Sequence, residues 1–170
     1  MDKKILIDAA KDQLSLILGF FSRVDSKASV ILAVDTGMLG VLVANTPPAR
    51  TFDWYMVIVL LPTLLLAASY WHLYKEAFPS LEGGHDSLIY FREIAERTEF
   101  QFIDAFQKQS EDSYLADLLS QIWRNSEILK DKFDHVRRAI DFMALAILPW
   151  IIALAMLASK NMALKSLIAK

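Results

Sequence analysis

The stretch Trp54–Tyr74, WYMVIVLLPTLLLAASYWHLY, runs 21 residues without a charge. A helix needs about 20 such residues to span the hydrocarbon of a bilayer. Phe142–Ser159 is likewise free of charge, and Ala28–Ala44 carries one charged residue, Asp35. About sixty more polar residues separate the third stretch from the first two. The whole chain is 55% hydrophobic with a mean hydropathy of +0.33, high values for a soluble chain of 170 residues. These features describe a small integral membrane protein with three spans.

The distribution of Lys and Arg orients the spans. Fourteen lie before the first span or between the second and third, and four lie in the short loop 46–53 and the tail. Positive charge collects on the cytoplasmic side, so the N-terminus and the middle segment are expected there. The N-terminal residues do not resemble a signal peptide, because Asp2, Asp8 and Asp12 interrupt them. The absence of cysteine excludes disulfide and thiolate chemistry. A net charge of −2 gives no indication of nucleic-acid binding.

Between the spans the pattern is amphipathic. Leu6, Ala10, Leu14, Ile17, Phe21, Val24 and Ala28 recur at steps of three and four, the mark of one apolar helix face. Helix one is therefore expected to run unbroken from about Lys3 into the membrane, until the Thr46–Arg50 turn with its two prolines. Asp86 and Ser87 offer an N-cap for a second amphipathic helix over 86–107, with Leu88, Phe91, Ala95, Thr98, Phe102 and Phe106 as its stripe. Ser110 with Glu111 and Asp112 opens a third, which continues into the last span. At 1.5 Å per residue, these segments of 22–27 residues each reach roughly 33–40 Å.

The expectation is an all-α membrane protein: three transmembrane helices plus a cytoplasmic helical bundle or stalk, with long helices continuous between the two zones. The division reads 1–27 cytoplasmic amphipathic helix, 28–45 first span, 46–53 external loop, 54–74 second span, 75–139 cytoplasmic helical hairpin, 140–159 third span and 160–170 tail.

No catalytic constellation is visible, so an enzyme is not expected. Gly83-Gly84 stands alone, and His72, His85 and His135 show neither mutual spacing nor a carboxylate cluster for a metal. No metal or resident cofactor is expected. Asp35 is the exception within the spans. An intramembrane carboxylate is costly, and it serves either as a pore-lining or proton-sensing group or as a protonated or paired structural one. Ala33/Gly37 and Gly40/Ala44 are small residues four apart, suited either to packing within one protomer or to self-association. Asn125, the one plainly polar member of the stripe Tyr114, Leu118, Ile122, Asn125, Leu129, Phe133, Val136 and Ile140, suits register fixing. Arg137-Arg138 suits contact with anionic headgroups.

At these residues the chain resembles a family. Phe20–Ala28, FFSRVDSKA, is similar to that family's aspartate-any-lysine-alanine motif entering a span. Gln121–Phe133, Val136–Ala139 and Leu148-Pro149-Trp150 are similar to its long closing helix. The family is the Pycsar transmembrane effectors of bacteria, and the resemblance covers nearly the whole chain. It implies antiphage defence: a partner cyclase makes cyclic CMP or cyclic UMP, and the effector, a homo-oligomer in the inner membrane, responds by impairing that membrane. The chain has no room for a β-roll nucleotide-binding domain, so direct sensing would fall to the helical stalk. Arg97, Arg124 and Lys132 would then meet the phosphate, Asn125 or Gln121 the pyrimidine edge, and Trp123 or Tyr90 the base face. Asp25 and Lys27 would couple stalk to spans. A scaffold without ligand and a constitutive small channel using Asp35 are the alternatives.

Overall fold

The computed structural model describes residues 2–46, 55–78 and 86–168, with side chains for 2–46, 56–78 and 86–160. The described residues form five helices and no strand: α1 (Lys3–Asn45), α2 (Tyr55–Ala77), α3 (Phe91–Ala95), α4 (Glu99–Lys108) and α5 (Glu111–Ile168). The turn residues Pro47–Arg50 and the breaker residues Gly83, Gly84 and His85 lie outside the described residues. The chain divides into two compact units, Met1–Val24 with Pro79–Lys132, and Asp25–Phe78 with Phe133–Lys170. Both α1, at 43 residues, and α5, at 58, contribute to each unit without interruption.

In the first unit Ala10 and Leu14 of α1 pack with Leu118 of α5, joined by Ile7, Ile89, Tyr114, Leu115 and Ile122. The apolar stripe of α1 thus serves as core. Burial of such side chains removes apolar area from water at roughly 25 cal/mol per Å². An exposed ion pair, Lys3 Nζ to Asp112 Oδ2 at 2.8 Å, joins the same two helices. Its solvent exposure makes it a minor contributor.

The expected helix over 86–107 is not one helix. It breaks into α3 and α4 at Glu96–Thr98. The physical cause is local: Thr98 is extended (φ −72°, ψ 154°), and its side chain accepts from the backbone N–H of Gln101. The Gln101 side chain accepts in return from the N–H of Thr98, completing a capping box. Thr98 is therefore a helix start and not a member of an apolar stripe. Ser87 is not the N-cap of α3 either, since that position falls to Tyr90, which makes no side-chain cap bond. The start of α5 follows the expected chemistry, with Ser110 Oγ accepting from the N–H of Ser113 at 3.2 Å.

The second unit holds the segments of the three helices long and apolar enough to cross a membrane. Its buried positions step by threes and fours: Ala28, Ile31, Asp35, Met38 and Leu42 on α1, and Pro62, Leu66, Ser69, Leu73 and Glu76 on α2. On α5, Val136, Ala139, Ala146, Ala153 and Leu157 keep the same heptad spacing. This is the seam of coiled-coil-like packing, with seven-residue repeats on each helix. Met38, Leu66 and Ala146 form one core cluster, and Leu42, Ala153 and Leu157 another. Outside the seam, Val30, Val43, Leu60, Leu61, Leu64, Leu145, Leu148 and Ile151 are exposed. In water so large an apolar surface would be untenable; against lipid it is the stable arrangement, and the protein is a membrane protein.

Neither Pro62 nor Pro149 ends its helix. Gly37 and Gly40 have no neighbour within 4 Å of where a Cβ would stand. Among the described residues these two glycines are therefore not points of close helix approach within the protomer. Leu118 is only 2% exposed at the centre of the first unit's core. Leu118→Ala is expected to cost about 2–5 kcal/mol, seen as an earlier thermal or denaturant transition of that unit.

Candidate functional site

In the first unit Ser87 joins several polar groups, two of the candidate ligand-binding residues among them. Its Oγ donates to Asp117 Oδ1 at 2.7 Å and accepts from the backbone N–H groups of Ile89 and Tyr90 at 3.1 and 2.9 Å. Gln121 Nε2 reaches the same oxygen at 3.2 Å, and Gln121 is 3% exposed. Asp117 uses its second oxygen to accept from the N–H of Leu88 at 2.9 Å. Arg97 closes the group by donating from Nη1 to the Ser87 carbonyl at 3.1 Å and from Nη2 to Asp86 Oδ1 at 3.4 Å. Asp86 itself sits in the left-handed region, φ 60°, which a short polar side chain tolerates. Its N–H donates to Glu93 Oε2 at 3.0 Å.

This network folds the segment after residue 86 back onto α5, and it joins Arg97 and Gln121, 24 residues apart in sequence, through one serine. The remaining candidates stand elsewhere. Arg124 faces Glu127, Nη1 to Oε2 at 3.5 Å, with its side chain 31% exposed. Asn125 donates from Nδ2 to the Gln121 carbonyl at 2.8 Å, one turn back on its own helix. Trp123 is 70% exposed and Tyr90 is half-buried with its ring edge against Phe91 at 5.0 Å. Lys132 is buried.

In the second unit Lys27 Nζ lies 5.6 Å from the centre of the Phe133 ring, a cation–π contact. The Asp25 carbonyl accepts from Ser29 Oγ at 2.9 Å, and Arg137 and Arg138 are exposed. Asp35 is fully buried, and its Oδ2 lies 2.6 Å from Ser69 Oγ, within hydrogen-bond distance. Thr36 Oγ1 and Tyr70 Oη meet at 2.6 Å, and Trp150 Nε1 donates to the Met38 carbonyl at 2.8 Å.

Three polar contacts across the fold are not visible in the sequence. Ser87 and Asp117 lie 30 residues apart with nothing local to connect them. Gln121 and Ser87 are 34 residues apart, and the third is the pair His72 and His135, between which the sequence shows no spacing relation. Their Nδ1 atoms are 3.1 Å apart, and His72 stacks on Phe142 at 5.5 Å. Sixty-three residues separate them in the chain, so only helix packing brings them together. Among the described residues no group of three His, Cys, Asp or Glu side chains is placed to hold a metal ion.

Removal of the Asp117 carboxylate strands the Leu88 N–H and the Ser87 hydroxyl together. Asp117→Ala is expected to cost about 1–3 kcal/mol. Amide hydrogen exchange at Leu88 should accelerate while exchange in the spans stays unchanged.

Comparison with curated proteins and with solved structures finds no match for this chain. A family profile does match: the Pycsar effector protein domain, over residues 9–159. That match takes in most of α1, all of α2 to α4 and α5 as far as Ser159. The chain belongs to the Pycsar effector family.

Proposed function

We propose that this effector responds to a cyclic pyrimidine mononucleotide, cyclic CMP or cyclic UMP made by a partner cyclase, and then impairs the bacterial inner membrane. The infected cell stops growing or dies before phage matures. The observation that carries this reading is the family match over 9–159, which covers parts of both units and not the apolar spans alone. The protein acts as a homo-oligomer with its N-terminus in the cytoplasm and performs no catalysis of its own.

The first unit is the place for the ligand. A cyclic nucleotide offers one phosphate charge, a base edge and a π-face, and Arg97, Arg124 and Lys132 supply cationic groups for the phosphate. Gln121 and Asn125 carry amides for the pyrimidine edge, and Trp123 and Tyr90 carry rings for the base. Arg97 is tied to Ser87 and Asp86, so a phosphate at its guanidinium would exchange with those acceptors. Such exchange provides the differential affinity that any ligand needs to shift a conformational equilibrium.

A ligand confined to the native state stabilises it, by about 2.7 kcal/mol at a hundred times its Kd. The detergent-purified protein should therefore show a saturable rise in melting temperature with cyclic CMP or cyclic UMP, and none with cyclic AMP or cyclic GMP. Arg124→Ala should remove that rise and the toxicity together. No shift with any of the four nucleotides, or an unaltered response in Arg124→Ala, would count against this site.

A further inference from the structure

Ser69 has one hydroxyl hydrogen and two acceptors within reach. Its Oγ is 2.6 Å from Asp35 Oδ2 on α1 and 3.0 Å from the Ala139 carbonyl on α5. A serine hydroxyl donates once and accepts through its lone pairs. Three oxygens in such a row need two hydrogens, one for each gap, and Ser69 supplies only one. Two pure acceptors at these distances from a single donor would leave one contact repulsive. Asp35 is the group able to provide the second hydrogen.

We propose that Asp35 is protonated in this arrangement of the helices and acts as a hydrogen-bond donor in a chain that runs Asp35 Oδ2–H to Ser69 Oγ–H to the Ala139 carbonyl. The proton is then the ligand of a buried site built from α1, α2 and α5. It joins a different helix at each of the chain's three oxygens.

The surroundings of Asp35 agree with a neutral acid. Asp35 and Ser69 are both 0% exposed, and Asp35 Oδ1 meets no hydrogen-bond partner among the described residues. An ionised carboxylate with one oxygen orphaned in an apolar seam is far more costly than the orphaned carbonyl oxygen of a neutral acid. No ion pair to Asp35 occurs among the described residues. The ionisable groups within four residues of its partners in sequence are Tyr70 and His72 on α2, and His135, Arg137, Arg138 and Asp141 on α5. Tyr70 is engaged with Thr36, and His72 with His135. Because the neutral form belongs to the hydrogen-bonded chain, any rearrangement that ionises Asp35 releases a proton and leaves the single Ser69 hydrogen to serve either Asp35 or the Ala139 carbonyl, not both. This inference concerns the spans alone and stands whether or not the first unit binds a nucleotide.

Infrared spectroscopy of the full-length protein in liposomes at neutral pH tests it. The difference spectrum between wild type and Asp35→Asn should contain the carbonyl stretch of a protonated carboxylic acid. In Ser69→Ala, which leaves the carboxyl in place, that band should move as its hydrogen bond to Ser69 is lost. A difference spectrum that contains carboxylate bands in place of the acid carbonyl would overturn the proposal. So would an acid band indifferent to Ser69→Ala, and that second variant decides the matter even where the first does not fold.

Discussion

Hydrocarbon supplies no hydrogen-bonding partner, so a polar group carried into a span must find one on its own helix or on a neighbouring one. Apolar packing between helices gains little from the hydrophobic effect there, since lipid tails are as apolar as leucine. The second unit meets both conditions with a few polar contacts set among small and branched side chains. Ser69 reaches α1 and α5, Tyr70 reaches Thr36, and Trp150 reaches the Met38 carbonyl. Each contact fixes the height of one helix against another, which leucine and valine alone leave loosely specified. The heptad seam brings the helices together, and these contacts select the register.

The first unit is organised differently, around a conventional apolar core whose polar network lies beside it. Leu14 and Leu118 exclude water, while Ser87, Asp117 and Gln121 tie the segment that follows residue 86 to α5. A network in which every member has several partners is stiff. It is also sensitive, because loss of one member leaves the others unsatisfied. Arg97 stands at the edge of that network, where among the described residues it holds a backbone carbonyl and an exposed carboxylate.

Much of this was legible in the sequence because it was written in periodicity. The charge-free stretches announce the spans, and the three-and-four spacing from Leu6 to Ala28 corresponds to buried or half-buried seats on α1. The Thr98 break was legible too, in Thr98-x-x-Gln101, but an expectation of one long stripe absorbed the threonine as a tolerated apolar position. What periodicity does not encode is which helix faces which. Ser69 reads as an ordinary small residue in a span, and its importance arises only from Asp35, 34 residues earlier, and Ala139, 70 residues later. The same holds for His72 with His135 and for Ser87 with Asp117. Candidate binding residues chosen from one helix, such as Trp123, Arg124 and Asn125, share a neighbourhood in sequence but face in different directions around that helix.

The division of the chain into units also sets an order of events during synthesis. The first unit is assembled from Met1–Val24 and Pro79–Lys132, with the first two spans emerging between those pieces. The stripe of Ala10, Leu14 and Ile17 leaves the ribosome long before Leu118, its partner, has been made. Contacts so distant in sequence pay their loop-closure entropy late. Until then the N-terminal helix must carry an uncovered apolar face beside a nascent span, and a chaperone or the bilayer surface itself has that interval in which to hold it. Span one faces a similar wait: Ser69 can reach Asp35 once the second span has inserted, but the carbonyl that completes the chain arrives only with the third.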